Sequence, residues 1–263
     1  SDNEGGAGFS SQWDAEFVHP IRDVITQPDD AGRDMNKVRN ALLHNYNGDV
    51  FQRVIYTESH DEVANGKSRI PSEVDSADPD SWFAQKRAAL GIALTLTAPG
   101  IPMLFQGQEL LQDGWFQDTE PMPWENKDEH GGIGALTAKL IHLRRNAGGH
   151  TKGLTGQKID VFHVNHQNKI VAFRRSHTGG PQDDVIVIAN FANQRFENYE
   201  FGLPAGGQWK RRFSSDLKQY SDDFGGNASG HIEAEQRGYD GQSHCGRVQL
   251  PPYTVLIYSQ DAS

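Results

Sequence analysis

RVIYTESHDEVANGKSR, residues 53–69, decides how this chain is read. Arg53 to Thr57 is a β-branched and aromatic run, the composition of a buried strand. It stops in a dense polar cluster of Glu58, Ser59, His60, Asp61 and Glu62. A parallel strand that gives way at its C-terminal end to carboxylates and an imidazole is how α/β barrels present active-site groups. A lone His–Asp pair is more often a surface or helix-capping pair. The strand before it and Gly66–Lys67 after it favour a site.

On either side of this stretch, strands and helices alternate. GFSSQW at 8–13 reads as a strand. AEFVHPIRDVITQ follows, with Phe17, Val18, Ile21, Val24 and Ile25 at helical spacing. Pro20 is expected to start that helix or to kink it. DMNKVRNALLHNY at 34–46 places Met35, Val38, Leu42 and Tyr46 on one helical face. WFAQKRAALGIALTLTA at 82–98 is a strongly apolar helix stopped by Pro99 and Gly100. IPMLFQGQE at 101–109 reads as another buried strand ending in polar groups, and 133–146 as an amphipathic helix. Such alternation is the signature of a parallel sheet with helical crossovers. From about residue 157 the texture becomes short strands divided by Gly, Asn, Asp and Pro, an antiparallel sandwich or barrel. The stretch 221–246 reads as a long loop.

Composition limits the function classes. The 263 residues are 36% hydrophobic and 23% charged, as in ordinary globular proteins. Lys+Arg is 25 against Asp+Glu 35, a formal charge of −10, which argues against nucleic acid and anionic membranes as partners. A neutral ligand such as a sugar remains open. Cys245 is the single cysteine, so no intrachain disulfide forms, and His244–Cys245 lacks the spacing of a metal site. No apolar run reaches transmembrane length and residues 1–15 do not resemble a signal peptide; a leader ahead of Ser1 stays open. AsnAlaSer at 227–229 is a formal glycosylation sequon.

SHDEVANGK at 59–67 resembles the segment at the seventh strand of the α-amylase superfamily of glycoside hydrolases and transferases. Ser before HisAsp, then GluVal and GlyLys, looks most like α-1,4-glucan branching enzymes; ordinary amylases more often carry Asn there. GGAGFSSQWD at 5–14 is similar to the family's sixth strand and PGIPMLFQGQE at 99–109 to its eighth. The stretch from VIVIANF at 185–191 to LPPYTVLIY at 250–258 resembles its C-terminal β domain.

The resemblance implies α/β plus all-β architecture: the C-terminal part of a (β/α)8 TIM barrel over 1–152, then an antiparallel β-sandwich over 153–263. It implies retaining glycosyl transfer on α-1,4-glucans such as glycogen, starch or maltooligosaccharide, through a covalent glycosyl-enzyme. Branching to new α-1,6 links is preferred. The alternatives are amylase-type hydrolysis and a non-catalytic carbohydrate-binding fragment. Asp61 would be the transition-state stabiliser, with His60 on sugar hydroxyls. Glu62, Lys67, Glu109, Trp13 and Trp115 are further substrate-binding candidates, and Phe116 and Trp124 could also stack on sugar rings. No cofactor and no metal are implied, and a branching enzyme would be cytoplasmic.

The nucleophile and the acid find no match. Arg33–Asp34 imitates the nucleophile's Arg-x-Asp setting, but the two are adjacent and precede a helix. Glu4 lies too close to the sixth-strand motif to be the acid. The chain is therefore expected to be the C-terminal part of a larger enzyme, inactive alone, and to self-associate through its open barrel half. His19, His44 and His142 read as structural.

Overall fold

The computed structural model describes residues 8–64, 66–226 and 230–262. Glu4 and the sequon at 227–229 lie outside them, as do residues 5–7 of the first motif and Asn65 of the central one. Three short parallel strands, β1 (Gln12–Trp13), β2 (Arg53–Ile55) and β3 (Ile101–Pro102), pair in the order β1-β2-β3. Helices α1 (Ala15–Thr26) and α2 (Met35–Leu43) fill the first connection, α3 (Ile70–Val74) and α4 (Trp82–Thr97) the second. After β3, α5 (Asn126–Arg144) leads to the β part.

Several expectations need correction. Pro20 neither starts nor breaks α1, which runs through it from an Asp14 N-cap whose side chain accepts from the Glu16 amide. Proline there removes one donor of the helix ladder. The flanking Phe17, Ile21 and Val24, each at most 1% exposed, hold the helix by burial instead. Tyr46 lies beyond α2 rather than on its face. The strand expected over 101–109 pairs only at Ile101–Pro102, with one more bond from the Met103 amide to the Ile55 carbonyl at 2.9 Å. The chain then coils into a 3-10 turn at Gln108–Leu110.

α4 is buried all round from Ala84 to Thr97, as a helix without a polar face must be. Its C-terminus carries three buried arginines. Arg175 donates to the Thr97 carbonyl, Arg144 to Ala98 and Gly100, and Arg53 to Pro99 at 2.7 Å. A helix leaves its last carbonyls unpaired and negatively polarised, so guanidinium groups satisfy both the bonds and the dipole. Burial, and then the neighbouring Arg53, pushes the Arg144 guanidinium down to about 10, which still leaves it charged at neutral pH.

The β part has a six-stranded antiparallel sheet in the order β4-β5-β6-β11-β8-β9. Its strands are β4 (Lys158–Asn165), β5 (Ile170–Ser176), β6 (Val185–Asn190), β8 (Gly207–Ser214), β9 (Ile232–Ala234) and β11 (Val255–Ser259). A two-stranded ribbon pairs β7 (Phe196–Leu203) with β10 (His244–Leu250). The stretch 221–246 is thus not one loop: it holds β9 and the start of β10, which low-propensity Gly, Ser and Asp obscure. Successive residues of β6 serve different layers. Val185 and Val187 join the helices' core, while Ile186 and Ile188 face the ribbon's Phe201 and Leu203. A sheet covered on both faces reads as a continuous apolar run rather than an alternation.

The parallel sheet is covered differently. Ile55 is fully buried on the helix side. Trp13, Val54 and Ile101 are register partners and so form a row on the opposite face, where Trp13 is 41% and Ile101 39% exposed.

The β5–β6 turn supplies an acid sensitivity. Asp183 accepts from the His177 amide at 2.7 Å, the Thr178 amide and hydroxyl at 2.6 Å, and the Gly179 amide at 3.0 Å. Burial alone would raise its carboxyl, yet these donors hold it at about 2. A depressed carboxyl stabilises the fold above its unfolded pKa and loses that contribution as pH falls through the folded value. Between about pH 4 and pH 2 the chain is expected to lose up to about 2 kcal/mol from this turn. Urea melts of the parent and of Asp183→Asn check it: the difference between the two should shrink on acidification. A constant difference would mean that Asp183 is not the titrating group.

Candidate functional site

β2 ends at Ile55, but burial continues through Tyr56, Thr57, Glu58 and Ser59. Thr57 and Glu58 are anchored from neighbouring elements. Arg22 of α1 donates Nη1 to the Thr57 carbonyl and Nη2 to Ser68, both at 2.9 Å. Gln108 donates Nε2 to the Thr57 hydroxyl at 2.7 Å, tying the end of β2 to the chain after β3. Glu58 accepts from Arg69 Nη1 at 3.2 Å and the Ile70 amide at 2.8 Å. Burial pushes the Glu58 carboxyl up, against the opposing pull of Arg69.

Residues 59–63 then form a turn pinned at both ends. The Val63 amide donates to the Ser59 carbonyl at 3.1 Å, and the Val63 carbonyl accepts from the Phe116 amide at 2.7 Å. His60 and Asp61 occupy its tip. Their side chains are 56% and 70% exposed, with Nε2 and Oδ1 3.4 Å apart. Trp13 meets the His60 ring edge-on at 5.6 Å and Tyr56 at 5.2 Å. Tyr56 is pushed up to about 12 by burial, then by Glu62 and Asp61, so its hydroxyl stays neutral.

The structure thus brings together Trp13, His60 and Asp61. It turns Glu62 and Lys67 toward each other, 3.4 Å apart. Glu62 is 8% exposed and also lies 3.6 Å from His19 and 3.9 Å from Arg22. Trp115 is 57% exposed, in a loop stitched to the same segment by the Arg69 amide on Gly114 at 2.7 Å and by the Phe116 bond. Phe116 packs edge-on against Phe105 at 5.2 Å. Glu109 sits half-buried in the 3-10 turn, and Trp124 is exposed. Arg33 and Asp34 serve the fold: Arg33 donates to the Val24 and Gln27 carbonyls at 3.1 and 2.7 Å, and Asp34 caps α2.

Asp14 was missed. It is fully buried at the end of β1 and accepts from Arg53 and Tyr46 at 3.1 and 3.3 Å, with His44 also at 3.1 Å. Its sequence signal is an Asp between a strand end and an amphipathic helix, an N-cap position. Arg22 carried none beyond being a charge among the apolar residues of a helical pattern, which needs a partner when buried, and Arg69 carried none. As to metal ligands, Asp80, Glu129 and His130 come together, as do Glu200, Glu235 and Cys245. In the second group Arg237 and Arg247 already neutralise the carboxylates.

Residues 162–261 match the family model of the alpha amylase C-terminal all-beta domain. Over 266 residues the chain is 28% identical to the 1,4-alpha-glucan branching enzyme of Corynebacterium jeikeium, covering 96% of the chain and 35% of that enzyme. Over nearly its whole length the chain is similar to 1,4-alpha-glucan branching enzymes. A branching enzyme of Pseudomonas fluorescens is 30% identical over 265 residues, 98% of the chain and 34% of the relative. The chain spans about a third of the length of these relatives. Its fold is similar to that of a pullulanase from Anoxybacillus sp. solved with maltotetraose, with TM-score 0.65 and 18% identity over 95% of this chain and 35% of that one. Among the described residues no helix is long and apolar enough to cross a membrane.

Proposed function

We propose that this chain carries part of the active site of an α-1,4-glucan-processing enzyme that transfers glycosyl groups with retention, forming α-1,6 branches. One observation carries the reading. In a stretch rich in acids, Glu58 and Glu62 are buried and paired with cations, while Asp61 is released to solvent with His60 beside Trp13. A fixed carboxylate and an imidazole at a strand end suit an oxocarbenium-like transition state, which gains from negative charge and from hydroxyl hydrogen bonds that tighten as the ring flattens. Asp61 stabilises that state, His60 holds hydroxyls, and Trp13 and Trp115 offer stacking faces. Nucleophile and acid are supplied from outside these residues.

In this reading β1 to β3 are the last strands of an eightfold barrel within 1–152, and 153–263 is the C-terminal domain packed on its helices. The row Trp13–Val54–Ile101 would line the barrel interior. The 263-residue chain by itself is expected to cover that row with a second copy, since burying such side chains contributes roughly 1.5–3 kcal/mol each. Light scattering checks it. A monodisperse monomer overturns the expectation, and a dimer that Trp13→Ser dissociates supports it.

The function is tested by giving amylose to the natural-length protein. New α-1,6 links without a matching rise in reducing ends support branching. Reducing ends without new links support the hydrolase alternative. Neither product overturns the reading.

A further inference from the structure

A cleft of about 440 Å³ lies where the loop after α1 and the start of α4 meet the β part, and it shares no residue with the Trp13–His60–Asp61 cluster. Its wall combines three chemistries. Phe83 is 42% exposed, beside the Tyr253 ring at 6.3 Å. Asp29 and Asn193 are exposed on its rim, and no hydrogen bond engages either side chain. Arg87 is 4% exposed, stacks on Tyr253 at 5.3 Å and donates one N–H to the Pro28 carbonyl at 3.3 Å. Its Nε and Nη1 are buried and make no well-formed hydrogen bond, although the Tyr253 hydroxyl interacts with the guanidinium. An unpaired buried donor costs about 1–3 kcal/mol, so a wall that keeps two gains from a ligand acceptor.

The chemistry narrows the occupant. Asp29, Asp30 and Asp75 line the cleft and repel an anion. The Arg87 guanidinium, and Arg33 paired with Asp30, offset much of that negative charge, so a bare cation gains little either. Asp30 is already held by Arg33, by the Tyr253 hydroxyl at 3.1 Å and by the Asn193 amide at 2.8 Å, which keeps the rim rigid. What remains is a neutral molecule with an apolar face and many hydroxyls. A pyranose ring lays its C–H face on an aromatic side chain and uses its hydroxyls both as donors and as acceptors. The volume falls within the range of small-molecule sites.

We propose that this cleft is a second carbohydrate site that binds a neutral hexopyranose chain. Phe83 is its stacking platform, Asp29 its acceptor, and Asn193 and Arg87 its donors, the guanidinium rotating slightly to reach a hydroxyl. That the chain is α-linked rests on the function proposed above. The site would hold a long glucan while one of its segments reacts elsewhere.

The test follows the indole N–H resonance of Trp82, whose ring lies 5.0 Å from Phe83, during titration with maltotetraose, cellotetraose and sulfate. Maltotetraose is expected to move this resonance. Phe83→Ala should weaken that response about tenfold and Asn193→Ala a few-fold, with Tm retained because both side chains are largely exposed. Trp13→Ala should leave it unchanged. If maltotetraose moves only resonances around Trp13 and His60, the second site is overturned and the α-glucan reading stands. If cellotetraose moves Trp82 and maltotetraose does not, the cleft is a sugar site and the α-glucan reading falls. A response to sulfate alone, or to none of the three, overturns the proposal.

Discussion

Asp61→Asn, made in the natural-length protein, is expected to lower kcat on amylose at least about a thousandfold while leaving the melting temperature nearly unchanged. The two halves of that expectation come from one placement. The Asp61 side chain is 70% exposed at the tip of a turn, and among the described residues its one ion pair is with the exposed His60, so the fold does not depend on it. Chemistry at that tip would depend on it entirely, because an amide supplies no charge to a developing oxocarbenium ion. His60→Ala should act in the same direction, mainly on kcat. A contact that tightens only in the transition state is lost there rather than in KM. Steady-state kinetics with a thermal melt on each variant decides it. An unchanged kcat for Asp61→Asn would remove the residue from the site.

Lys86→Met is expected to cost about 3–5 kcal/mol of stability, on the order of 10 °C in Tm. Lys86 is fully buried in α4, yet its Nζ lies 2.6 Å from Asp216 and 3.0 Å from the Thr254 hydroxyl, both in the β part. The Phe224 ring lies 4.8 Å from the ammonium. Burial pushes the Lys86 ammonium down and Asp216 pulls it back up. Methionine fills the space but leaves the Asp216 carboxylate buried, with the Gly225 amide at 3.2 Å as its one remaining donor among the described residues. The double variant Lys86→Met/Asp216→Asn removes the stranded charge and should recover a large part of the loss. Denaturant melts of the single and double variants measure this. A single-variant loss under about 1 kcal/mol, or no recovery in the double, would show that the pair does not join the two parts of the chain.

Much of this was legible in the linear chain, for a local reason. β2 and α4 stand out because one long apolar run fixes its own burial, and Pro99–Gly100 ends α4 whatever surrounds it. The HisAsp tip was legible because its polarity follows directly on a buried strand. The strands of the β part were legible as short apolar runs between turn residues. β9 and β10 were not: β9 is only three residues long, Gly246 and Arg247 weaken the pattern of β10, and pairing with β8 and β7 supplies what propensity lacks.

What the tertiary structure alone decided is which charge faces what. The sequence presents Glu58, His60, Asp61, Glu62 and Lys67 as one polar cluster. Packing sorts it: Arg69 and Arg22, arriving from other elements, neutralise Glu58 and brace Glu62, Lys67 reaches solvent paired with Glu62, and Asp61 is the acid left free beside His60. Arg53, Arg144 and Arg175 likewise show nothing in sequence of the helix end they hold. A hydrophobic pattern is set by neighbours along the chain, because burial is non-directional and a run of apolar residues finds cover in any packed core. A buried charge is fixed by one partner at about 3 Å, and that partner can lie anywhere in the sequence. The sequence by itself therefore determined the elements and the tip of the site, and the fold decided which of its acids remained free to act.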